Sequence, residues 1–243
     1  MNYEAAKVFS QVILAEKTVH IKLLGDSITH GVGGTGFEQD GPVIVEGWAR
    51  NPNGYCWANR MKAYLEENFS CVVTNNACTG TDIEFILRHF DTLVDGDDDI
   101  IICTIGTNNR HQFFETGAKR TVEEMKQTFF ANVLKLYDRF REAGKAVIFV
   151  ANIPAALENE KDGENYWRIL HMNDIEDVYQ KAAFVRGFPL IRLYSLFLGD
   201  CLARGVTVDS LLADGLHPND EGFDVMYRLL LEELGIAVPM AQL

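Results

Sequence analysis

The sequence predicts an α/β fold in which helices pack against a parallel β-sheet. Short apolar runs rich in β-branched residues alternate along the chain with longer stretches of helical periodicity, which is the pattern of repeated βαβ units. Several of these runs are apolar at every position, as strands covered on both faces of a sheet should be. The predicted strands are residues 20–25, 71–77, 99–106, 146–152 and 189–194.

Helical stretches lie before and between these strands. In the clearest one, Thr121 and Glu124 have the spacing of a capping box, and Gly144 stands where a glycine commonly ends a helix. Residues 1–17 lack the basic start and the cleavage site of a signal peptide, so they predict an amphipathic surface helix at about 3–16. The other helices are predicted at 55–68, 82–91, 121–143, 165–186 and 219–234.

Composition narrows the function classes. The chain has 243 residues, of which 47% are hydrophobic, and a net charge of −13. A chain of this length and hydrophobic share can bury a core. The acidic net charge, without a cationic stripe, argues against nucleic acid as a partner. No apolar segment in the sequence is predicted to span a membrane. An odd number of scattered cysteines without C-x-x-C predicts reduced core residues in a cytoplasmic chain, not disulfides or a zinc site. These are Cys56, Cys71, Cys78, Cys103 and Cys201.

Three long irregular stretches are predicted at 28–54, 107–120 and 153–164, each after the carboxyl end of a strand. Ligands of open α/β sheets bind outside those ends, so these stretches should wall the site. Aromatic side chains on or beside them either contact substrate or pack the loops down. The candidates for substrate contact are Trp48, Phe113, Phe114, Tyr166 and Trp167.

The stretch "IKLLGDSITHGVGGTG" at 21–36 has two interpretations. Gly31, Gly33 and Gly36 have the spacing of a dinucleotide-binding turn, which would predict a nicotinamide oxidoreductase. That turn needs its first glycine directly after the strand and a helix at its last glycine. Here residues 26–31 intervene, and two prolines without helical period follow Gly36. The oxidoreductase is therefore a distant alternative.

The second interpretation makes Ser27 a nucleophile, because Gly25 permits a sharp turn off the strand. A serine hydroxyl needs a histidine base and an orienting carboxylate. Asp214 precedes His217 by three residues, just before a helix predicted near Asn219. This spacing can bring the carboxylate to one imidazole nitrogen while the other nitrogen faces Ser27. Donors for a developing oxyanion are also available.

Those donors would follow the second and third strands. At Gly80 the backbone can approach a ligand closely, and the Asn108 side-chain amide can donate to a tetrahedral oxygen. "GDSIT", the Gly80 turn, "GTNN" and "DGLHPN" occur in that order. In this order and spacing the chain resembles the SGNH, or GDSL-type, hydrolases from about residue 20 to 234.

The resemblance implies a role for each residue. Ser27 would be the nucleophile, His217 the general base and then acid, and Asp214 its orienter. The oxyanion hole would comprise the Ser27 and Gly80 N–H groups and the Asn108 side chain. The implied fold is a three-layer, flavodoxin-like sandwich with a five-stranded parallel sheet between helices, in a single domain over 1–243. No metal and no organic cofactor are implied.

Two positions depart from the family pattern. Asn109 stands where the family often has aspartate, and Ala77 stands where it often has glycine. Both changes keep the residues expected to donate to the oxyanion. They leave open the subfamily and whether the chemistry is impaired.

The function expected from the resemblance is removal of a small acyl group, acetyl first of all, from an oxygen ester through an acyl-serine intermediate. Relatives with similar "GDSIT" blocks often act on acetylated carbohydrates, which makes an acetylated sugar the first candidate substrate. A lipase, arylesterase or thioesterase is the alternative, and a catalytically silent carbohydrate-binding protein is the alternative of another class. The partner is a small-molecule ester, not nucleic acid or membrane, and the oligomeric state stays open.

Other polar residues are assigned no chemistry. Asp26 is expected to brace the turn before Ser27. The acidic run "DGDDD" at 95–99 lacks the spacing of a calcium loop and predicts a solvated turn. His30, His89 and His171 have no partners at metal-ligand spacing, which favours packing or surface roles.

Overall fold

The computed structural model describes residues 2–14 and 16–236, and a five-stranded parallel sheet lies at its centre. In chain order the strands are β1 (Val19–Gly25), β2 (Val43–Val45), β3 (Trp48–Ala49), β4 (Cys71–Asn75), β5 (Ile100–Thr104), β6 (His111–Phe113), β7 (Ala146–Ala151), β8 (Tyr166–Arg168) and β9 (Leu190–Arg192). The central sheet has the order β4-β1-β5-β7-β9, and every neighbouring pair is parallel. All five strands predicted from the sequence are confirmed.

Helices cover both faces of this sheet. They are α1 (Tyr3–Ile13), α2 (Ser27–His30), α3 (Trp57–Asn68), α4 (Ile83–Arg88), α5 (Phe90–Leu93), α6 (Val122–Glu142), α7 (Met172–Arg186), α8 (Leu193–Arg204) and α9 (Asp220–Glu233). One buried cluster joins the sheet to α1, α3, α8 and α9, and a second joins the other face to α4, α5, α6 and α7. The result is the three-layer sandwich that the sequence predicted.

Local signals explain where several helices begin and end. The capping box at α6 is present, because the Glu124 N–H donates to Thr121 Oγ1 while the Glu124 carboxylate accepts from the Thr121 N–H. Gly144, with φ of +74°, follows this helix as predicted. The cysteines are free and buried, as predicted. No helix among the described residues combines the length and apolar character needed to cross a bilayer.

The prediction of a helix over 165–186 was wrong for its first turn. Tyr166–Arg168 instead forms β8, which pairs antiparallel with β6, and α7 starts only at Met172. The backbone N–H of His171 donates to Asp174 Oδ2, 2.9 Å away, and this bond fixes the helix start. The helix predicted at 82–91 is two short helices that meet at His89.

Helix α8 was not predicted from the sequence. Strand β9 ends at Arg192 and α8 begins at the next residue, without a loop between them. The apolar run "PLIRLY" at 189–194 therefore spans the end of the strand and the start of the helix. Leu193, Phe197 and Cys201 are buried at helical spacing. The prediction that 28–54 and 107–120 are irregular was wrong in part, because the first stretch contains most of α2 and the β2–β3 pair and the second contains β6.

The acidic turn before β5 differs from the solvated turn that was predicted. Asp95 and Asp97 are exposed, but Asp98 is buried. The Nζ atom of Lys22, a residue of β1 that is 1% exposed, lies 2.6 Å from Asp95 Oδ2 and 3.5 Å from Asp98 Oδ1. A buried lysine therefore supplies the positive charge that balances this turn.

Candidate active site

Ser27 lies where the chain turns sharply off the central strand β1. Gly25 ends the strand, and a side chain there would meet Thr29 Oγ1 at 2.4 Å and the Thr104 carbonyl at 2.6 Å. Only glycine fits so close to the neighbouring strand. Ser27 then opens the short helix α2, so its N–H has no acceptor within the helix.

Asp26 braces this turn, as predicted. Its carboxylate accepts a hydrogen bond from the Ile28 N–H at 3.1 Å, and the Asn152 Nδ2 lies 3.4 Å from each of its oxygens. The side chain is fully buried. Burial raises the pKa of Asp26, although hydrogen bonds involving Thr107 and Ile28 act in the opposite direction.

His217 connects Ser27 with Asp214. Its Nε2 lies 2.8 Å from Ser27 Oγ, and its Nδ1 lies 2.7 Å from Asp214 Oδ2. A carboxylate at Nδ1 favours the tautomer with the proton on Nδ1, which leaves Nε2 free to accept the serine proton. The three side chains therefore form a line along which a proton can leave Ser27.

The loop before α9 shapes this line. Asp214 Oδ1 accepts from the N–H groups of Leu216 and His217 at 3.0 and 2.8 Å. Burial would raise the pKa of Asp214, but these bonds and the His217 ring outweigh it, so the pKa lies below its ordinary value. Asp214 is therefore a carboxylate at neutral pH, as stabilisation of an imidazolium requires.

Gly33, which follows α2, packs against the loop before α9. Gly33, with φ of +99°, packs so closely that a side chain there would meet the Pro218 carbonyl at 2.3 Å and His217 Cβ at 2.9 Å. No helix starts at Gly36, because the chain continues into the β2–β3 pair. The spacing that resembles a dinucleotide turn thus brings the residues after Ser27 against His217.

Gly80 and Asn108 lie on turns after the neighbouring strands. Gly80 has φ of +77°, and its N–H donates to no other residue in 2–14 or 16–236. One hydrogen of Asn108 Nδ2 is donated to the Thr81 carbonyl at 2.7 Å, which leaves the second hydrogen for another acceptor. Both groups can donate to an anionic oxygen.

Comparison with known proteins shows the family to which the chain belongs. The sequence matches the model of the GDSL-like lipase/acylhydrolase family over residues 23–225. The chain belongs to this family. It is therefore a GDSL-type ester hydrolase, as its motifs predicted, and the matched region contains Ser27, Gly80, Asn108, Asp214 and His217. A comparison with curated proteins gives no match.

Solved structures share the fold at low identity. An alpha/beta hydrolase from the metagenome of Lake Arreo is 21% identical, with 93% of this chain and 100% of that chain covered and a TM-score of 0.67. A lipase/acylhydrolase from Enterococcus faecalis is 20% identical, with 89% and 95% covered and a TM-score of 0.61. An acetylxylan esterase from Geobacillus stearothermophilus is 16% identical, with 91% and 96% covered and a TM-score of 0.65.

In this GDSL-type hydrolase Gly80 and Asn108 line a cavity of about 530 Å³. Its other walls combine charged and apolar side chains. The charged ones are Asp82, Glu84 and Arg120, and the large apolar ones are Phe113, Met125 and Phe129. Asp82 Oδ2 and the Nε and Nη1 atoms of Arg120 bond to no other described residue. The cavity therefore offers hydrogen-bonding groups beside an aromatic surface.

Of the five aromatic residues predicted to contact substrate, Phe113 lines this cavity and is 45% exposed. The other four are absent from its lining. Phe114 packs on Trp167 with ring centroids 4.7 Å apart, and Tyr166 packs on His111 at 4.8 Å. The contact role of these residues stays a prediction.

Trp48 holds the Gly80 turn in place. Its indole N–H donates to the Thr79 carbonyl at 2.8 Å, and its ring packs against Phe85. On the other side, His30 Nδ1 lies 2.9 Å from Thr79 Oγ1. Burial lowers the pKa of His30, so its ring is neutral at pH 7. His30 thus has the packing role that its sequence context predicted.

Sequence reasoning missed a connection behind the site. The buried Arg110 guanidinium binds Glu160 at 2.9 Å. In the same segment, Asn159 Nδ2 donates to the Asp214 carbonyl at 3.3 Å and the Ala156 N–H donates to the Gly215 carbonyl at 2.8 Å. This segment supports the loop of Asp214 and His217, and no spacing in the sequence connects residues so far apart.

Proposed function

We propose that the protein is a serine esterase that removes a small acyl group, acetyl first of all, from an oxygen ester of a carbohydrate. The observation that supports this most directly is the line of hydrogen bonds from Ser27 Oγ through His217 to Asp214, with distances of 2.8 and 2.7 Å.

The first half of the reaction forms an acyl-enzyme. Ser27 Oγ attacks the ester carbonyl carbon while its proton passes to His217 Nε2, and Asp214 stabilises the imidazolium. The carbonyl oxygen becomes an oxyanion that accepts hydrogen bonds from the Ser27 and Gly80 N–H groups and from Asn108 Nδ2. As the bond to the alcohol breaks, His217 returns the proton to the departing oxygen, and the acyl group stays on Ser27.

The second half releases the acid. A water molecule gives a proton to His217 Nε2 as its oxygen attacks the acyl carbon, and the same donors hold the new oxyanion. When the bond to Ser27 Oγ breaks, His217 reprotonates the serine. Ester and water have then become alcohol and carboxylic acid, and the enzyme has returned to its starting state.

The polar lining of the cavity, which includes Gly80 and Asn108 but not Ser27, favours a carbohydrate over a long aliphatic chain. A buried alkyl chain would remove water from Asp82 and Arg120 without replacing its hydrogen bonds, which is costly for polar groups. Sugar hydroxyls can bond to both side chains, and a sugar ring can pack on Phe113. One structural neighbour is named an acetylxylan esterase, and variants described as catalytic mutants of it replace a serine or an aspartate by alanine.

The test is a comparison of kcat/KM across two ester series. One series varies the acyl group from acetyl to dodecanoyl on p-nitrophenol, and the other uses acetylated and unacetylated xylo-oligosaccharides, with release of acetate as the readout. Ser27→Ala serves as the control and should lower turnover by roughly 10⁴–10⁶-fold. We expect acetyl esters to react fastest and acetylated oligosaccharides to exceed p-nitrophenyl acetate in kcat/KM.

The competing functions give different results. A rate that rises with acyl length would identify a lipase. Fast release of p-nitrophenol from aryl esters, with acetylated sugars left intact, would identify an arylesterase. Binding of oligosaccharides that is equal in the wild type and Ser27→Ala, with no turnover of any ester, would identify a silent carbohydrate-binding protein.

A further inference from the structure

Glu84 ties together the two turns that hold Gly80 and Asn108. The Gly80 turn leads directly into α4, where Glu84 is in the first turn. Each of its oxygens accepts a hydrogen bond from a different amide. Oε2 accepts from Asn109 Nδ2 and Oε1 accepts from Asn132 Nδ2, both at 2.7 Å. The carboxylate is thus shared between the turn after β5 and helix α6.

Asn109 makes a second bond to α4. Its Oδ1 accepts from the Ile83 N–H at 3.1 Å while its Nδ2 donates to Glu84, so both ends of the amide are used. The neighbouring Asn108 donates to the Thr81 carbonyl. Two consecutive asparagines therefore fasten the turn after β5 to the segment between Gly80 and α4.

The identity of residue 109 depends on Glu84. The family often has aspartate at this position, but an aspartate here would place a carboxylate oxygen about as close to Glu84 as the present 2.7 Å contact. While both groups are ionised, the like charges repel strongly at such a distance and neither oxygen can donate a hydrogen bond. Asparagine at 109 and glutamate at 84 form a matched donor and acceptor.

We propose that the Asn109–Glu84 bond sets the separation of the two proposed oxyanion donors, the Gly80 N–H and the Asn108 side chain. Asn109 and Glu84 are positioning residues, and each can be exchanged only together with the other. This inference rests on the proposed function, because the separation matters for catalysis only if both groups hold an oxyanion.

The test compares kcat for p-nitrophenyl acetate in the wild type, N109D and E84Q/N109D. N109D should lower kcat on the order of 100-fold, because small displacements of groups at the reacting centre have effects of this size. KM should change little, since oxyanion donors bind the transition state better than the substrate. In E84Q/N109D, the introduced glutamine can donate its amide N–H to the introduced aspartate while its carbonyl oxygen still accepts from Asn132. The second change should therefore raise kcat about tenfold over N109D.

N132D is the matched control. It places the same negative charge 2.7 Å from the other oxygen of Glu84, but on α6, away from the turn of Asn108. It should lower the melting temperature as N109D does, with a much smaller loss of kcat. Equal loss of kcat in N132D and N109D would mean that charge near Glu84 only disturbs folding, and would overturn the inference.

The remaining outcomes separate this inference from the proposed function. If the wild type turns over no ester, both the proposed function and this inference are wrong. An active wild type with N109D equally fast, or with E84Q/N109D no faster than N109D, removes the inference alone. If N109D does not fold, N109A replaces it, because this change removes the bond without adding charge. N109A should have a lower kcat than the wild type, and adding E84Q to N109A should not raise it. A kcat in N109A equal to that of the wild type would contradict the inference.

Discussion

The two ends of the central sheet both hold ionisable side chains, arranged in different ways. Near the amino end of β5, Lys22 is 1% exposed and binds Asp95 and Asp98, while Lys145 Nζ donates to the carbonyls of Gly96 and Asp98. The oppositely charged Lys22 and Asp98 are enclosed together there, while Asp95 is exposed. The arrangement balances charge within the fold.

At the carboxyl end the polar groups form an open line. Ser27 is buried, the His217 side chain is 15% exposed, and the Asp214 side chain is 55% exposed. His217 bonds to both of the other groups, and the Ser27 hydroxyl lies at the buried end of the line. The difference shows that the alignment of hydrogen-bonding groups, more than the number of buried charges, distinguishes a candidate site from a structural cluster.

The largest expected effect is at the open line. His217→Ala removes the proposed base, so kcat/KM for p-nitrophenyl acetate should fall on the order of 10⁴-fold or more. The free energy of unfolding should change by only about 1 kcal/mol, as for a partly exposed side chain outside the core. Steady-state rates and urea unfolding measure the two effects. Retention of more than a tenth of the activity would contradict the role of His217.

The opposite pattern is expected at the enclosed cluster. Lys22→Met leaves Asp98 buried without its ion-pair partner, so the free energy of unfolding should fall by about 3–5 kcal/mol. The kcat of the folded fraction should equal that of the wild type. Lys17→Met is the matched control, because Lys17 is exposed in its pair with Asp99, and it should cost less than about 1 kcal/mol. Equal losses from the two variants would erase the contrast between enclosed and exposed charges.

The smallest expected effect concerns Asp26, whose pKa is raised above 3.8 by burial. Because the folded state resists ionisation of this carboxyl, its contribution to stability is present below pH 3.8 and is lost as the pH rises through the raised pKa. Asp26→Asn cannot ionise. The melting temperature of the wild type, relative to this variant, should therefore decrease as the pH rises through that window. A constant difference between the two curves would contradict the raised pKa.

Much of the fold followed from the sequence because its signals are local. The strands β1, β4, β5, β7 and β9 are apolar runs, and the capping box of α6 lies within four residues. The first turn predicted for α7 failed because pairing of β8 with β6, a tertiary contact, outweighed local helical periodicity. Helix α8 was missed because its apolar face continues the hydrophobic run of β9.

The site divides in the same way. Five candidate site residues could be identified from the sequence, because each follows a strand or precedes a helix in a recognisable block. They are Ser27, Gly80, Asn108, Asp214 and His217. The residues that support them could not be identified from the sequence. The contacts of Arg110 with Glu160 and of Asn109 with Glu84 join segments that are far apart in the chain. Ala77, where the family often has glycine, is buried without strain at a negative φ, so its methyl group fits the end of β4.

The central claim is that Ser27, activated by His217, is the nucleophile. The most direct measurement is labelling of the folded protein with a fluorophosphonate probe, followed by peptide mass spectrometry. We expect the label on Ser27 alone, and its rate of attachment should fall steeply in His217→Ala. Turnover of p-nitrophenyl acetate with no label on Ser27, or with the label on another residue, would contradict the claim.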